Sequence, residues 1–306
     1  MRLVVHGQQA FGKSVLEALL ARGEQVVAVY CAPEKTGQRP DPLKEAALAQ
    51  HLPVYQPRSY RRPEVWDEFA TLNADLCVMA YVTLFVPEDM LNLPTHGTIQ
   101  YHPSLLPQHR GPSAINWAII SGATKTGLTI FWPDNGLDTG PILLQKEVEI
   151  QDTDTLGSLY FDKLYPMGVT ALLEAVDMVR TGTAPKVAQE ESQATYEGWC
   201  KQEDVKIDWG KPLQAVWSLI RGSDPQPGAW TTCAGQVVQV YDTKKLVGDV
   251  AGKPGEVTAV SVESFTIAAH GGGIEVHRVR PAGGNKISAA EFIRHAGLQK
   301  GAQLGA

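Results

Sequence analysis

Two groups that could move a proton stand in rigid turns of this chain. The segment Gln100-Tyr-His-Pro-Ser-Leu-Leu-Pro-Gln-His-Arg110 places an imidazole, His102, at the mouth of a turn fixed by Pro103 and Pro107. Proline locks φ, so this backbone has few alternatives. Further on, Gly136-Leu-Asp-Thr-Gly140 presents the carboxylate of Asp138 between glycines. One group that donates a proton and another that removes it are what general acid–base catalysis needs. Each also has a plainer reading. His102 could be a satisfied strand-end histidine, and Asp138 a turn aspartate bonding the backbone.

The elements that must position these groups read as alternating strands and helices. Residues 2–6 form an apolar run ending at Gly7, then a helical pattern runs through Val15, Leu16, Leu19 and Leu20, and a strand at 25–31 closes a βαβ unit. A helix at 43–50, a short strand at 53–55, a helix at 63–72 and an apolar strand at 75–81 follow. Strands at 97–101 and 127–132 flank a helix at 113–121, and 156–180 reads as one long amphipathic helix. Strands that are apolar throughout suit a parallel sheet covered on both faces. In doubly wound sheets ligands bind outside the carboxyl ends of the strands. His102 follows one strand directly and Asp138 follows the 127–132 strand after a turn, so both are expected at that same edge.

The pattern changes after about residue 186. Short strands at 237–241, 255–260, 264–270 and 273–279 alternate with glycine turns, which fits a small antiparallel barrel or sandwich. The predicted fold is therefore α/β: a Rossmann-like, doubly wound, mostly parallel sheet, followed by a small β-rich, open barrel-like C-terminal domain. The expected boundaries are 1–183 for the catalytic domain, 184–208 for a linker and 209–306 for the C-terminal domain. A length of 306 residues suits one large domain plus a smaller one. Aromatics at 196–209, in Tyr196-Glu-Gly-Trp and Ile207-Asp-Trp, read as pins between the domains rather than ligand platforms.

Composition narrows the class. Hydrophobic residues at 43 % and charged residues at 20 % are ordinary for a soluble globular protein. A net charge of −6 and a pI near 5.8 provide no general attraction for nucleic acid. Cys31, Cys77, Cys200 and Cys233 lie far apart without metal spacing, and Cys77 sits in an apolar run that suggests a buried thiol. With neither a leader pattern nor an apolar stretch near 18 residues, a reducing, cytoplasmic protein without a membrane partner is expected.

Two motifs compete with the His102–Asp138 reading. Gly7-Gln-Gln-Ala-Phe-Gly-Lys-Ser14 matches the phosphate-loop pattern literally, which would make the chain a nucleotide-binding protein or kinase using Lys13 and Ser14. Glutamines and a phenylalanine stand where such a loop must wrap phosphate oxygens, and no Walker-B aspartate ends an apolar strand. The second motif is His96, His102 and His109. Their spacings of six and seven through prolines are not those of zinc clusters, so no metal is expected.

At the level of whole motifs the chain resembles the folate-dependent formyltransferase family. The segments that carry the resemblance are His-Pro-Ser-Leu-Leu-Pro (102–107), Arg-Gly-Pro-Ser-Ala-Ile-Asn-Trp (110–117), Gly-Leu-Asp-Thr-Gly (136–140), Ile207-Asp-Trp and Pro227-Gly-Ala-Trp230. The resemblance covers nearly the whole chain. It is strongest to the hydrolase-domain branch found in 10-formyltetrahydrofolate dehydrogenase, through Ile130-Phe-Trp132, Leu143-Leu-Gln-Lys-Glu147, Ala194-Thr-Tyr-Glu-Gly198 and the opening Gly-Gln-x-x-Phe-Gly. The family also includes methionyl-tRNA formyltransferase, which stands as an alternative.

The resemblance implies that 10-formyltetrahydrofolate is the formyl donor. It makes His102 the general acid or electrostatic partner of the formyl oxygen. Asp138 would orient His102 and the nucleophile or accept its proton. Leu84, Phe85 and Val86 would grip the folate's pterin through their backbone, and Ser104 and Leu105 would belong to a rigid wall of the site. Three departures shape the expectation. Transferases of the family carry asparagine two positions before the histidine, and the hydrolase branch an apolar residue; this chain has Gln100, which leaves the acceptor open between a small amine and water. Residues 33–42 hold only Lys35 and Arg39 against Glu34 and Asp41, so few phosphates could be neutralised and tRNA is not an expected partner. The carrier and aldehyde-dehydrogenase domains of the dehydrogenase have no counterpart, so no oxidation of the formyl group is expected. A folate-binding module without turnover is a third possibility.

Overall fold

The computed structural model describes residues 1–34, 37 and 39–305. They form two compact units: Met1–Gly111, Thr126–Val148 and Phe161–Tyr196 make one, and Pro112–Lys125, Glu149–Tyr160 and Glu197–Ala306 the other.

The first unit is built on β1 (Arg2–Gly7), α1 (Gln9–Ala21), β2 (Gln25–Tyr30), α2 (Pro42–Ala49), β3 (Val54–Tyr55), α3 (Pro63–Ala70), β4 (Leu76–Ala80), α4 (Glu88–Leu91) and β5 (Thr98–His102). After α5 (Ala114–Ile120), β6 (Lys125–Phe131) and β7 (Ile142–Glu149) complete a seven-stranded sheet of order β3-β2-β1-β4-β5-β6-β7. The ladders β3–β2, β2–β1, β1–β4 and β4–β5 are parallel, and β5–β6 is antiparallel.

The apolar run of β4 is explained by two cores. Alternate side chains of a strand point to opposite faces. Leu76, Val78 and Ala80 enter one core with Phe11, Val15, Leu16 and Leu19 of α1, while Cys77 and Met79 enter another with Tyr60, Phe69 and Met90. Cys77 is the buried thiol expected, and burial pushes its pKa up to about 12.

The segment read as one helix over 156–180 is three pieces: α6 (Leu156–Ser158), a π-helical stretch (Leu159–Leu164) and α7 (Tyr165–Arg180). Pro166, in the first turn of α7, has no N–H for the preceding turn, so the helix widens there instead of continuing. The 184–208 stretch is ordered: Val187 bridges Ile142, and Tyr196 bridges Arg110.

In the second unit, α8 (Leu213–Gly222) precedes β8 (Trp230–Cys233), β9 (Gln236–Val247), β10 (Val257–Val260), β11 (Phe265–Ala269), β12 (Gly272–Pro281), β13 (Ile287–Ser288) and α9 (Ala289–Ala296). Its sheet has the order β10-β11-β12-β9-β8, with β13 beside β12, and every pairing is antiparallel. Val238, Val240, Ile267, Ile274 and Val276 form its core with Val216, Trp217 and Ile220 of α8. Among the described residues no helix is long and apolar enough to cross a membrane.

Candidate active site

Strand β5 sorts its side chains by period two. Ile99 and Tyr101 enter the core beside α1, so Gln100 and His102 share the opposite face. That face carries Met79 beside Gln100 on β4, and Phe131 and Thr129 opposite Gln100 and His102 on β6. His102 is 5 % exposed. Its Nε2 lies 2.9 Å from the carbonyl oxygen of His109. A carbonyl can only accept, so Nε2 carries the proton and Nδ1 is left for chemistry. Nδ1 lies 3.6 Å from Oδ2 of Asp138, itself 6 % exposed.

The route by which these two groups meet differs from the expected one. Because β6 runs antiparallel to β5, its carboxyl end lies at the other edge of the sheet from the carboxyl end of β5. The expectation of a shared carboxyl edge is corrected. Asp138 arrives because the loop after β6 folds back and closes on itself, Trp132 N–H donating to the Pro141 carbonyl at 2.9 Å. Within it, Asp134 Oδ1 accepts from Thr139 Oγ1 at 2.6 Å and from the Gly136 N–H at 3.0 Å. Asp138 itself has φ +57°, a conformation that Asp and Asn tolerate better than most residues. Its Oδ2 accepts from the Gly111 N–H at 2.9 Å. Gly140 is required by close approach: a Cβ there would fall 1.8 Å from the Trp132 carbonyl oxygen.

The turn between the prolines is pinned from inside. Ser104 Oγ donates to the Gln108 carbonyl at 2.6 Å, and Thr129 Oγ1 donates to the Ser104 carbonyl at 2.7 Å. Thr129 Oγ1 also receives the Leu106 N–H, and Gln145 Nε2 donates to the Leu106 carbonyl. Ser104 is fully buried, so its hydroxyl holds the turn. Leu105 is half-buried against Gly127. Thr129 and Gln145 were missed in the sequence. A threonine inside an otherwise apolar strand was the available signal for the first, and for Gln145 it was its place in the Leu143–Glu147 motif.

Leu84, Phe85 and Val86 lie in the loop after β4. Leu84 and Val86 belong to the core on the His102 face, whereas Phe85 is 48 % exposed with the Arg61 guanidinium 5.2 Å from its ring centroid. Among the described residues, the backbone N–H and C=O groups of these three make no hydrogen bond to protein. The Gln100 carboxamide, half-buried, likewise has no partner among them.

Other sequence candidates serve different ends. In the phosphate-loop match, α1 begins at Gln9, two residues after β1, which leaves no loop to wrap a phosphate. The Gln9 N–H donates to both carboxylate oxygens of Asp41 at 2.9 Å, so an acidic side chain already fills the helix start. Lys13 pairs on the helix surface with Glu17 at 3.7 Å, and Ser14 Oγ bonds Tyr165 Oη at 2.7 Å. Of the loop at 33–42, Lys35 lies outside the described residues, Arg39 is exposed, and Glu34 is paired with Lys44 at 3.0 Å. Among the described residues no group of three metal-ligating side chains forms, the three histidines included. Asn116, in the second unit, donates to the Gly222 and Gln226 carbonyls, so this motif residue has a structural role. Tyr196 and Trp199 are exposed.

Comparison with known families decides the class. A model described as "Formyl transferase" matches residues 1–176, and "Formyl transferase, C-terminal domain" matches residues 200–297. The chain belongs to the formyl transferase family. It is an enzyme of the formyltransferase or hydrolase type. The mitochondrial 10-formyltetrahydrofolate dehydrogenase of Mus musculus is 39 % identical over 308 residues, covering 96 % of this chain but 33 % of that protein. The chain thus spans about a third of that relative's length. The methionyl-tRNA formyltransferase of Trichlorobacter lovleyi is 36 % identical over 297 residues, with 95 % of this chain and 93 % of the relative covered. Among solved structures, HypX from Aquifex aeolicus in complex with tetrahydrofolic acid has the same fold, with a TM-score of 0.71 at 20 % identity over 97 % of this chain and 47 % of that one. In this formyl transferase the buried His102–Asp138 pair and the unpartnered Gln100 sit on one sheet face.

Proposed function

We propose that this formyl transferase takes the formyl group of 10-formyltetrahydrofolate and passes it to a small nucleophile, either the primary amine of a small metabolite or water. The observation that carries this reading is the buried pair, His102 Nδ1 3.6 Å from Asp138 Oδ2, on the same face as the free Gln100 carboxamide. The donor supplies a formyl carbon bonded to a nitrogen that leaves once protonated. Asp138 removes the proton that the amine or water loses as its new bond to the formyl carbon forms. Gln100 presents its Nε2 donor to the oxygen on which charge develops, the kind of interaction that contributes most to acyl transfer, and His102 joins it once Nδ1 has taken up the proton passed on from Asp138. The proton taken at Asp138 has a short path through Nδ1 of His102 to the leaving nitrogen, so proton gain and loss balance.

The fit of the folate rests on the 84–86 loop. Its unpaired backbone groups can read an amide-like heterocycle, and Leu84 and Val86 supply apolar contact beneath it. The Mus musculus relative is named for 10-formyltetrahydrofolate and HypX is solved with tetrahydrofolic acid, which supports the same donor here. We place tRNA outside the acceptor class on charge: the chain carries −6 overall, and the 33–42 loop has few cations. The test is to incubate the purified protein with 10-formyltetrahydrofolate alone and then with a panel of amines and with initiator tRNA, following release of tetrahydrofolate. Release with water or a small amine supports the proposal. Release with tRNA alone would overturn the acceptor assignment, and binding without release would identify a silent module.

A further inference from the structure

A closed ring of bonds surrounds Asp138, and Gln189, the residue that closes it, lies outside every sequence motif. Gln189 Nε2 donates to the Asp138 carbonyl at 2.9 Å and to the Gly140 carbonyl at 2.7 Å, gripping the loop on both sides of Thr139. Gln189 Oε1 in turn accepts from Arg110 Nε at 3.2 Å and Nη2 at 2.8 Å. Arg110 is buried, and the next residue, Gly111, gives its N–H to the Asp138 carboxylate at 2.9 Å. The ring therefore runs from the Asp138 carboxylate through Gly111 and Arg110 to Gln189, and back to the Asp138 main chain. From outside, Glu191 fastens Arg110 through Nη1 at 3.0 Å and Nη2 at 2.6 Å. That pair holds the Arg110 guanidinium above its ordinary pKa and Glu191 below the usual carboxylate range.

We infer that Gln189, with Arg110 behind it, is a positioning residue that fixes Asp138 against Nδ1 of His102. The inference rests on the catalytic reading of Asp138 made above. The physical need is specific. Asp138 sits at positive φ on a loop rather than in a strand, and among the described residues its carboxylate keeps one backbone donor. Nothing in the sheet ladder sets its distance to His102. Gln189 is suited to the task because one carboxamide both donates to two carbonyls and accepts from a guanidinium. A carboxylate cannot donate to those carbonyls, and an apolar side chain can do neither.

The test compares Gln189→Met, Gln189→Glu and Asp138→Asn with the wild-type chain, measuring kcat per folded molecule, KM for 10-formyltetrahydrofolate and Tm. Methionine keeps the volume and loses all four bonds. Glutamate keeps the acceptor for Arg110 and loses both donated bonds. Both Gln189 variants are expected to lower kcat by roughly ten- to a hundredfold with KM within about threefold, since misplacing a reacting group by about 1 Å costs that much. A purely structural role would instead lower Tm and leave kcat per folded molecule unchanged. The inference is overturned if either variant keeps wild-type kcat while Asp138→Asn is inactive. If Asp138→Asn itself turns over normally, the catalytic reading beneath it fails instead.

Discussion

Substituting Gly140 by alanine tests how tightly catalysis depends on the loop that delivers Asp138. The added Cβ would lie 1.8 Å from the Trp132 carbonyl oxygen, 2.9 Å from its carbon and 3.3 Å from Pro133 Cα. A comfortable carbon–oxygen contact is about 3.3 Å, so the two backbone segments must separate by roughly 1.5 Å. Both are main chain, and no rotamer change can relieve the clash. The shift pulls on Asp138, two residues away, and on the 2.7 Å bond from Gln189 to the Gly140 carbonyl. Crowding of this kind costs about 1–3 kcal/mol of stability. The displacement should lower kcat by about a hundredfold. The control is Gly182→Ala, where φ is +69° and nothing lies within 4 Å of the new Cβ. It should lose about 1 kcal/mol of stability through backbone strain alone and keep full kcat. Steady-state release of tetrahydrofolate gives kcat, and urea denaturation gives stability. A folded Gly140→Ala enzyme with kcat within threefold of wild type would show that turnover does not depend on where this loop holds Asp138.

Lys13→Ala should leave turnover within about twofold, because its ion pair with Glu17 is a surface helix contact; loss of all activity would revive the phosphate-loop reading. Gln100→Asn shortens the free carboxamide on the His102 face, and the ratio of amine formylation to hydrolysis should rise. An unchanged ratio would show that residue 100 does not touch the formyl group. Burial lowers the pKa of His6 from 6.5 to about 3, so the unfolded chain takes up a proton that the folded chain resists. Stability from this residue is complete above about pH 6.5 and is lost as pH falls toward 3, by about 2 kcal/mol at pH 5. Urea denaturation of wild type and His6→Leu from pH 7 to pH 4.5 should give a shallower slope for the variant, and equal slopes would contradict this.

The parts of the fold that were legible in the sequence are those governed by local chemistry. Apolar runs placed β1, β2, β4 and β5, and glycine-punctuated alternation placed β9, β10, β11 and β12 of the second unit but not the short β8 and β13. His102 and Asp138 were legible because proline and glycine mark backbone that is held for a reason. What failed depended on partners distant in the chain. The direction of β6 is set by pairing with β5, and its apolar pattern reads the same in either direction. The break before α7 follows from Pro166, whose effect on the preceding turn is invisible to hydrophobic periodicity. Helix α8 was passed over because Leu213, Val216, Trp217 and Ile220 follow a stretch read as linker. Asp41 fills the start of α1 from 32 residues away, which no reading of the phosphate-loop motif alone could reveal. Gln189 and Arg110 brace Asp138 across similar distances, and a glutamine in a polar stretch carries no signal of that role.

On the proposed mechanism Asp138, held against His102, removes the proton when the formyl group moves. Asparagine fits the same positive φ and can still accept the Gly111 N–H, so Asp138→Asn removes the base while keeping the loop. Single-turnover release of tetrahydrofolate from bound 10-formyltetrahydrofolate, measured with the preferred acceptor beside a folate-binding titration, isolates that step. The rate is expected to fall by about 10²–10⁴-fold with folate affinity within about tenfold of wild type. Wild-type release by Asp138→Asn would contradict it.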